Sequence, residues 1–149
     1  MHIALISIGN CPSLAMRNIR HYCLRHEDVR RSVTFQLGDY DIRRFRESRL
    51  SSVRNFAFVT SFDETILEMQ RTKPRIVGFS CYLWNLELSL HLAYLIKRVL
   101  PEVCIVLGGP SAGPCAAELL DRHDYVDLII DGDGEEPFLA LVRHFLAGP

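Results

Sequence analysis

The sequence predicts an α/β fold in which helices cover both faces of a doubly wound, five-stranded parallel sheet. Short apolar runs alternate along the chain with amphipathic segments of helical periodicity. Residues 76–79 and 103–107 are two such runs, and a capped helical stretch joins them as a strand–helix–strand crossover. The expected strand order is 2-1-3-4-5, as in flavodoxin-like and Rossmann-like domains.

Length and composition fit one cytoplasmic domain over residues 1–149. The chain is 48% hydrophobic and 23% charged, which suits a single core. No apolar run approaches the roughly 20 residues of a membrane helix, and the N-terminus lacks the basic segment of a signal peptide, so it is expected to be a strand. Five cysteines, without CxxC or CxxxCxxC spacing, argue against disulfides or a cysteine metal cluster and for a reducing cytoplasm.

Charge is unevenly distributed about a net value of −1. Residues 17–54 hold ten arginines and five acidic residues, whereas residues 55–149 hold seven basic and thirteen acidic residues. No nucleic-acid recognition motif accompanies the arginines. We therefore expect a solvated or partner-facing surface there, with neither nucleic acid nor membrane as partner.

The first part of the chain supplies two predicted strands and a helix between them. Residues 2–8 are nearly all apolar, as in a central parallel strand, and residues 32–37 alternate polar with apolar residues, as in an edge strand. Ser13 is expected to cap a helix that runs to about His26. The predicted inward residues of this helix are Ala15, Ile19, Tyr22 and Cys23.

Residues 38–60 carry the weakest pattern. Residues 41–50 are expected to form a short exposed helix, and residues 55–61 a short strand or a buried loop. Ser61 and Glu64 match a capping box, which predicts that the next helix begins there and ends before Pro74.

The remaining elements continue the alternation. Residues 75–81, 103–107 and 126–130 are predicted strands, and residues 113–122 are predicted to be helical. Asn85 is expected to cap the helix after the third strand, and Asp133 with Glu136 matches a capping box for the last helix. The predicted inward residues of these two helices are Leu88, Leu92, Leu95, Ile96, Val99, Phe138, Leu141, Val142 and Phe145.

Three loops of small residues follow strands whose carboxyl ends meet at one edge of the sheet. They are Ser80-Cys81-Tyr82, Gly108-Gly109-Pro110-Ser111 and Gly132-Asp133-Gly134-Glu135. Ligands of open α/β sheets bind at this edge, and a turn without side chains lets a flat ligand lie against the backbone. Each loop alone is also explained as a tight turn, but the three together predict a ligand site.

The segments VGFSCYLWN, VLGGPSAG and VDLIIDGDGEEPF, which contain these loops, resemble the N-terminal cobalamin-binding domain of cobalamin-dependent radical S-adenosylmethionine enzymes. That family shows Gly-x-Ser, Gly-Gly-Pro and Gly-x-Gly-Glu turns in this order. The resemblance covers essentially the whole chain and implies a cobalamin (vitamin B12) cofactor without catalytic residues in this domain. The implied cofactor-binding residues are Asn10, Cys11, Ser80, Cys81, Tyr82, Leu83, Trp84, Gly108, Gly109, Pro110, Ser111, Gly132, Gly134 and Glu135.

Two motifs associated with such proteins are absent from the sequence. The Asp-x-His-x-x-Gly motif, whose histidine ligates cobalt in mutases and methionine synthase, would follow the first strand, where Asn10-Cys11-Pro12 stands. Its absence fits the radical branch and implies base-off cobalamin with no protein histidine or other metal ligand. Asp121-Arg122-His123 copies the start of the motif, but His123 is expected to be a surface histidine at a helix end.

The CxxxCxxC motif that holds a 4Fe–4S cluster is also missing. The resemblance therefore implies that the cluster and S-adenosylmethionine belong to a downstream radical domain, in cis or in trans. By itself the chain is expected to hold the corrinoid for a methyltransferase or a related enzyme and to have no complete active site.

Several neighbouring residues leave two interpretations open. Trp84 either anchors the start of a helix on the core or lies, with Leu83, beneath the corrin and keeps water from the lower cobalt face. Cys11 and Cys81 are expected to serve as small residues, because the sequence places no histidine beside them to activate a nucleophile. Replacement of Gly109 by valine is expected to block the nucleotide tail of the corrinoid and to leave the fold largely intact.

Other functions of a flavodoxin-like fold are alternatives. A phosphoacceptor receiver domain would need an aspartate at the end of the third strand, where Phe79-Ser80-Cys81 stands. A carrier of flavin mononucleotide or another nucleotide would need a hydroxyl-rich loop after the first strand, and only Asn10 and Ser13 suit that role. A ligand-free interaction module would use the arginine-rich residues 17–54 as its contact surface.

Overall fold

A computed structural model, which describes residues 1–42 and 54–148, contains a five-stranded parallel sheet in the order β2-β1-β3-β4-β5. The strands are β1 (His2–Gly9), β2 (Thr34–Asp41), β3 (Ile76–Ser80), β4 (Cys104–Gly108) and β5 (Leu128–Ile130). The helices are α1 (Leu14–Leu24), α2 (Glu27–Ser32), α3 (Arg54–Thr72), α4 (Leu86–Val99), α5 (Ala116–Arg122) and α6 (Glu135–Ala147), and a 3-10 turn, Gly113–Cys115, precedes α5. The predicted fold class and strand order are confirmed.

Helices cover both faces of the sheet, and this explains why the central strands are apolar without alternation. Successive side chains of a strand point to opposite faces. On one face Ile3 and Leu5 pack with α1, α2 and α6, and on the other Ala4 and Ile6 pack with α3, α4 and α5. All five residues of β3 are buried, as expected of a strand covered on both sides.

The first helix follows the prediction except in its inward face. The hydroxyl of Ser13 accepts a hydrogen bond from the Met16 amide at 3.4 Å and caps α1. Met16 and Cys23 are buried, whereas Ala15 is exposed. The prediction of Ala15 as an inward residue is therefore wrong, and this part of α1 is turned so that Met16 meets the sheet.

The segment between α1 and β3 differs most from expectation. The unpredicted helix α2 precedes β2, which starts two residues later and ends four residues later than the predicted 32–37. Residues 55–61 lie in α3, not in a strand or loop, and Ser61 is inside that helix, so the capping box is wrong. Helix α3 ends at Thr72, before Pro74, as predicted. The helix expected at 41–50 lies, beyond residue 42, outside the described residues.

In the second half, the helix caps and two element starts depart from the prediction: β5 begins at Leu128 instead of 126, and the helix predicted over 113–122 begins with a 3-10 turn. Gly134, not Asp133, occupies the N-cap of α6, and no side chain caps that helix, so the second capping box is also wrong. The predicted buried and exposed faces of α4 are confirmed, because Leu92 and Ile96 are buried and His91 and Arg98 are exposed. Within the described part of the chain, no helix combines the length and apolar character needed to cross a membrane.

Candidate functional site

A cavity of about 690 Å³ opens at the carboxyl ends of β3, β4 and β5, between the sheet and helices α1 and α6. Its volume is typical of small-molecule sites, which measure roughly 300–1,000 Å³. The strands and their following loops contribute Leu5, Gly78, Phe79, Ser80, Tyr82, Val106, Leu107, Gly108, Gly109, Pro110, Ile130, Asp131, Gly132 and Asp133. The helices and their first residues contribute Leu14, Ala15, Met16, Asn18, Ile19, Pro114, Gly134, Glu135 and Phe138.

Two glycines shape the floor of the cavity. In the strand register Leu5, Gly78 and Val106 form one row, and Ser80, Gly108 and Ile130 form the next row on the same face. A Cβ on Gly78 would lie 2.9 Å from Cδ2 of Leu5, so this glycine allows close packing. A Cβ on Gly108 would approach only the carbonyl oxygen of Ile130, at 3.7 Å. The missing side chain of Gly108 therefore leaves free space in the cavity.

Gly109 has a structural role of its own. Its φ is +100°, a conformation that favours glycine, and a Cβ there would lie 2.6 Å from the backbone oxygen of Cys81. Valine at this position would strain the turn even without a ligand. The expectation that Gly109→Val leaves the fold largely intact is therefore wrong, and Gly108 is the better position for blocking the cavity.

Asn85 joins the ends of two strands to the loop that follows β3. Its side chain is buried, and its amide donates to the carbonyl oxygens of Ile8 at 2.8 Å and Ser80 at 3.0 Å. Its side-chain oxygen accepts from the Tyr82 amide at 2.7 Å. Asn85 is at the N-cap of α4, but its side chain makes no capping bond. The predicted cap is thus corrected to a tertiary clamp that positions Tyr82 at the cavity.

An aromatic pair stands beside the mouth of the cavity. The rings of Tyr82 and Trp84 are stacked, with centroids 4.8 Å apart and planes 7° apart. Trp84 is 56% exposed and Leu83 is 88% exposed, so neither packs into the core. The interpretation of Trp84 as a core anchor is wrong, and its exposed ring forms an apolar surface next to Tyr82, which lines the cavity.

The structure brings eight of the fourteen predicted site residues to the cavity. These are Ser80, Tyr82, Gly108, Gly109, Pro110, Gly132, Gly134 and Glu135. The other six do not line it, namely Asn10, Cys11, Cys81, Leu83, Trp84 and Ser111. Cys81 is fully buried, and burial raises the pKa of its thiol to about 12, which leaves it protonated and unreactive at neutral pH.

Sequence reasoning missed the helical wall of the cavity. Leu14, Asn18 and Ile19 of α1 line it, and Leu14 is 71% exposed. The start of α1 is fixed to the edge strand because Asp39 accepts hydrogen bonds from the Ser13 amide at 2.8 Å and from Arg17 at 2.7 Å. The available signal for this wall was a leucine directly after the capping residue Ser13 and outside the predicted inward face of α1.

The lining is acidic at its rim and apolar at its floor. Asp131, Asp133 and Glu135 follow β5, and none of the described lining residues is lysine, arginine or histidine. No group of three described histidine, cysteine, aspartate or glutamate residues is arranged to hold a metal ion. His123 is the C-cap of α5, its Nδ1 is hydrogen-bonded with the Tyr125 hydroxyl at 2.9 Å, and it does not line the cavity.

Comparison with protein families and with individual proteins gives a consistent result. The model of the B12 binding domain matches residues 45–142. The chain is 36% identical over 76 residues to 2-(S-pantetheinyl)-carbapenam-3-carboxylate methyltransferase of Streptantibioticus cattleyicolor, covering 51% of this chain and 11% of that protein. It is 34% identical over 70 residues to the cobalamin-dependent radical SAM methyltransferase TokK of Streptomyces tokunonensis, covering 47% of this chain and 10% of TokK.

A solved structure supports the fold alone. A CpaE2 pilus assembly protein of Sinorhizobium meliloti superposes with a TM-score of 0.56 at 14% identity, over 96% of this chain and 98% of that one. At this identity, shared fold carries no information on function. The chain spans about a tenth of the length of the two methyltransferases it matches.

Proposed function

Since this chain belongs to the family of B12 binding domains, we propose that it holds base-off cobalamin for a radical S-adenosylmethionine methyltransferase. Its relatives include domains of cobalamin-dependent radical SAM methyltransferases. The observation that carries the proposal is the cavity at the carboxyl edge of the sheet, whose lining includes glycines from the turns that follow β4 and β5. The proposed cofactor-binding residues are the eight lining residues given above, with Trp84 and Leu83 beside them.

The residues present fit the nucleotide tail of a cobalamin. The lining of the cavity is mostly apolar, and Gly108 leaves room over the floor for a flat heteroaromatic base. Among the residues of the two floor rows that line the cavity, Ser80 is the one with a polar side chain. Its hydroxyl can donate a hydrogen bond to a ring nitrogen of the base. The corrin ring would rest outside, against the Tyr82–Trp84 pair.

The same surface suits protection of the lower face of the corrin. Leu83 and Trp84 are exposed apolar residues at the mouth, and covering them with a flat ring would remove apolar area from water. Bound cobalamin supplies a cobalt that carries a methyl group. This chain's own residues bind and orient the cofactor and exclude water, and the catalytic residues belong to a further domain of a longer protein.

The cobalt is proposed to lack a protein histidine ligand. The turn after β1 holds Asn10, Cys11 and Ser13, and none of the described cavity residues is histidine. Electron paramagnetic resonance of the bound cobalt(II) form tests this point. A spectrum without superhyperfine splitting from an axial nitrogen is expected, and nitrogen splitting would overturn the base-off, histidine-free arrangement.

A flavin mononucleotide carrier is the competing function, and the electrostatics of the cavity disfavour it. The terminal phosphate of flavin mononucleotide is a dianion, which is bound by cationic side chains or free backbone amides, whereas the phosphodiester of cobalamin carries a single charge. The described lining contributes three carboxylates and no cationic side chain, and this repels the dianion more strongly. Parallel titrations with hydroxocobalamin and flavin mononucleotide separate the two. Binding of the corrinoid alone is expected, while binding of the flavin alone, or of neither ligand, would refute the proposed function.

A further inference from the structure

From the polarity of the cavity floor, we infer that this domain selects corrinoids by the base of their nucleotide tail, favouring a benzimidazole over a purine. The inference rests on the proposed function, because it requires the tail to enter the cavity. It goes beyond that function by naming the class of corrinoid. Natural corrinoids share the ring and differ in this base, so a protein can distinguish them only where it contacts the tail.

The floor offers very few polar groups. Leu5, Val106 and Ile130 come from three different strands, and the buried Phe138 of α6 packs in the same apolar cluster, with its ring against Gly78. Among the residues of the two floor rows that line the cavity, Ser80 is the one that carries a hydroxyl, and it is 7% exposed. Asp131 and Asp133 belong to the loop beyond β5, and Glu135 is the first residue of α6, so all three acidic residues lie at the rim.

The backbone of the floor adds no free partner. The floor residues of β1, β3 and β4 are hydrogen-bonded within parallel ladders on both sides, and β5, the edge strand, pairs with β4 on one side. Ladder hydrogen bonds lie in the plane of the sheet, so the backbone groups of these strands do not point up into the cavity. Beyond the strand ends, the Cys81 amide donates to the Gly108 oxygen at 2.7 Å, and the Ser111 amide donates to the Cys81 oxygen at 3.3 Å. The polar capacity at the inner end of the cavity is therefore about one hydrogen bond, from Ser80.

One hydrogen bond matches one class of base. Dimethylbenzimidazole, when released from cobalt, presents a single free ring nitrogen and two methyl groups. Adenine presents an exocyclic amine and further ring nitrogens, most of which would lose water here without gaining a partner. Each buried polar group left without a partner weakens binding by about 5- to 150-fold. A phenolic base such as p-cresol has no ring nitrogen and leaves the Ser80 hydroxyl without a partner instead.

Ser80 can be tested against a matched serine in the same sheet row. Ser7 pairs with Ser80 in the β1–β3 register and is similarly buried, at 6% exposed, but it does not line the cavity. Ser80→Ala should weaken cobalamin binding by about 2- to 12-fold, the effect of one hydrogen bond, and should leave p-cresolyl cobamide binding unchanged or tighter. Ser7→Ala should change neither affinity.

The experiment is an absorbance titration of the wild-type chain with four corrinoids, namely hydroxocobalamin, its adenine analogue, p-cresolyl cobamide and cobinamide, which lacks the tail. We expect cobalamin to bind at least about tenfold more tightly than the adenine analogue and far more tightly than cobinamide. Equal affinities for cobalamin and the adenine analogue, or for cobalamin and cobinamide, would overturn the selection while leaving corrinoid binding intact. Binding of no corrinoid would overturn the proposed function together with the inference.

Discussion

Gly108→Val is the substitution that most sharply separates loss of the ligand from loss of the fold. Gly108 ends β4, and its Cβ would meet only the Ile130 carbonyl oxygen, at an ordinary contact distance of 3.7 Å. Valine favours extended strands, so the free energy of unfolding should change by less than about 1 kcal/mol. The added methyl groups occupy the cavity instead, in the space proposed for the nucleotide tail.

The expected effect on binding follows from overpacking. Forcing extra carbon atoms into a well-fitted site costs about 1–3 kcal/mol, which corresponds to about 5- to 150-fold weaker hydroxocobalamin binding. Gly9→Val is the matched control, because its Cβ would also lie 3.7 Å from a backbone oxygen, that of Cys11, and Gly9 does not line the cavity. Absorbance titration measures both affinities, and urea unfolding checks both folds. Equal affinity in wild type and Gly108→Val would refute the placement of the tail.

Three other predictions concern stability and the surface at the mouth. Asn85→Asp keeps the shape of the side chain but removes the hydrogen bonds that it donates to Ile8 and Ser80. The free energy of unfolding, measured with urea, should therefore fall by at least about 2 kcal/mol. An unchanged urea midpoint would show that these hydrogen bonds do not stabilise the fold. Burial raises the pKa of Cys81 from 9.0 to about 12, so the stabilisation by its buried neutral thiol is complete below pH 9 and is lost as pH rises toward 12. The free energy of unfolding should therefore fall less steeply over this pH range in Cys81→Ala than in the wild type. An identical fall in both proteins would show that ionisation of Cys81 does not cause it. Trp84 is half exposed, so Trp84→Ala should change the free energy of unfolding by less than about 1 kcal/mol. The same substitution should alter the electron paramagnetic resonance spectrum of bound cobalt(II) cobalamin. An unaltered spectrum would place the indole ring of Trp84 away from the corrin.

The fold was predictable because its signal is global. Strand β3 is buried along its whole length, and such a run of apolar residues is readable without knowledge of its neighbours. Helix starts are less predictable, since a local cap pattern does not exclude a competing tertiary contact. Asn85 has the right residue type and position for a cap, yet its amide is used by Ile8, 77 residues away in sequence.

The candidate site was predictable at its loops and not at its helical wall. Strand-end glycines are visible in the sequence, which therefore predicts Gly108 and Gly132 at the sheet edge where the cavity opens. The rotation of α1 was not visible, because Ala15 and Met16 are both plausible inward residues and only packing against the sheet chooses between them. Likewise, the sequence shows the glycine at 109 but not the Cys81 oxygen that requires it.

A crystal structure of the chain with hydroxocobalamin tests the central claim, that the cavity between the sheet and helices α1 and α6 holds the cofactor, most directly. The account predicts electron density for the nucleotide tail over Gly108, with the base within hydrogen-bond distance of the Ser80 hydroxyl and the corrin beside Tyr82. A cavity without density for the tail in a corrinoid-bound crystal, or a corrinoid bound at another surface, would contradict it.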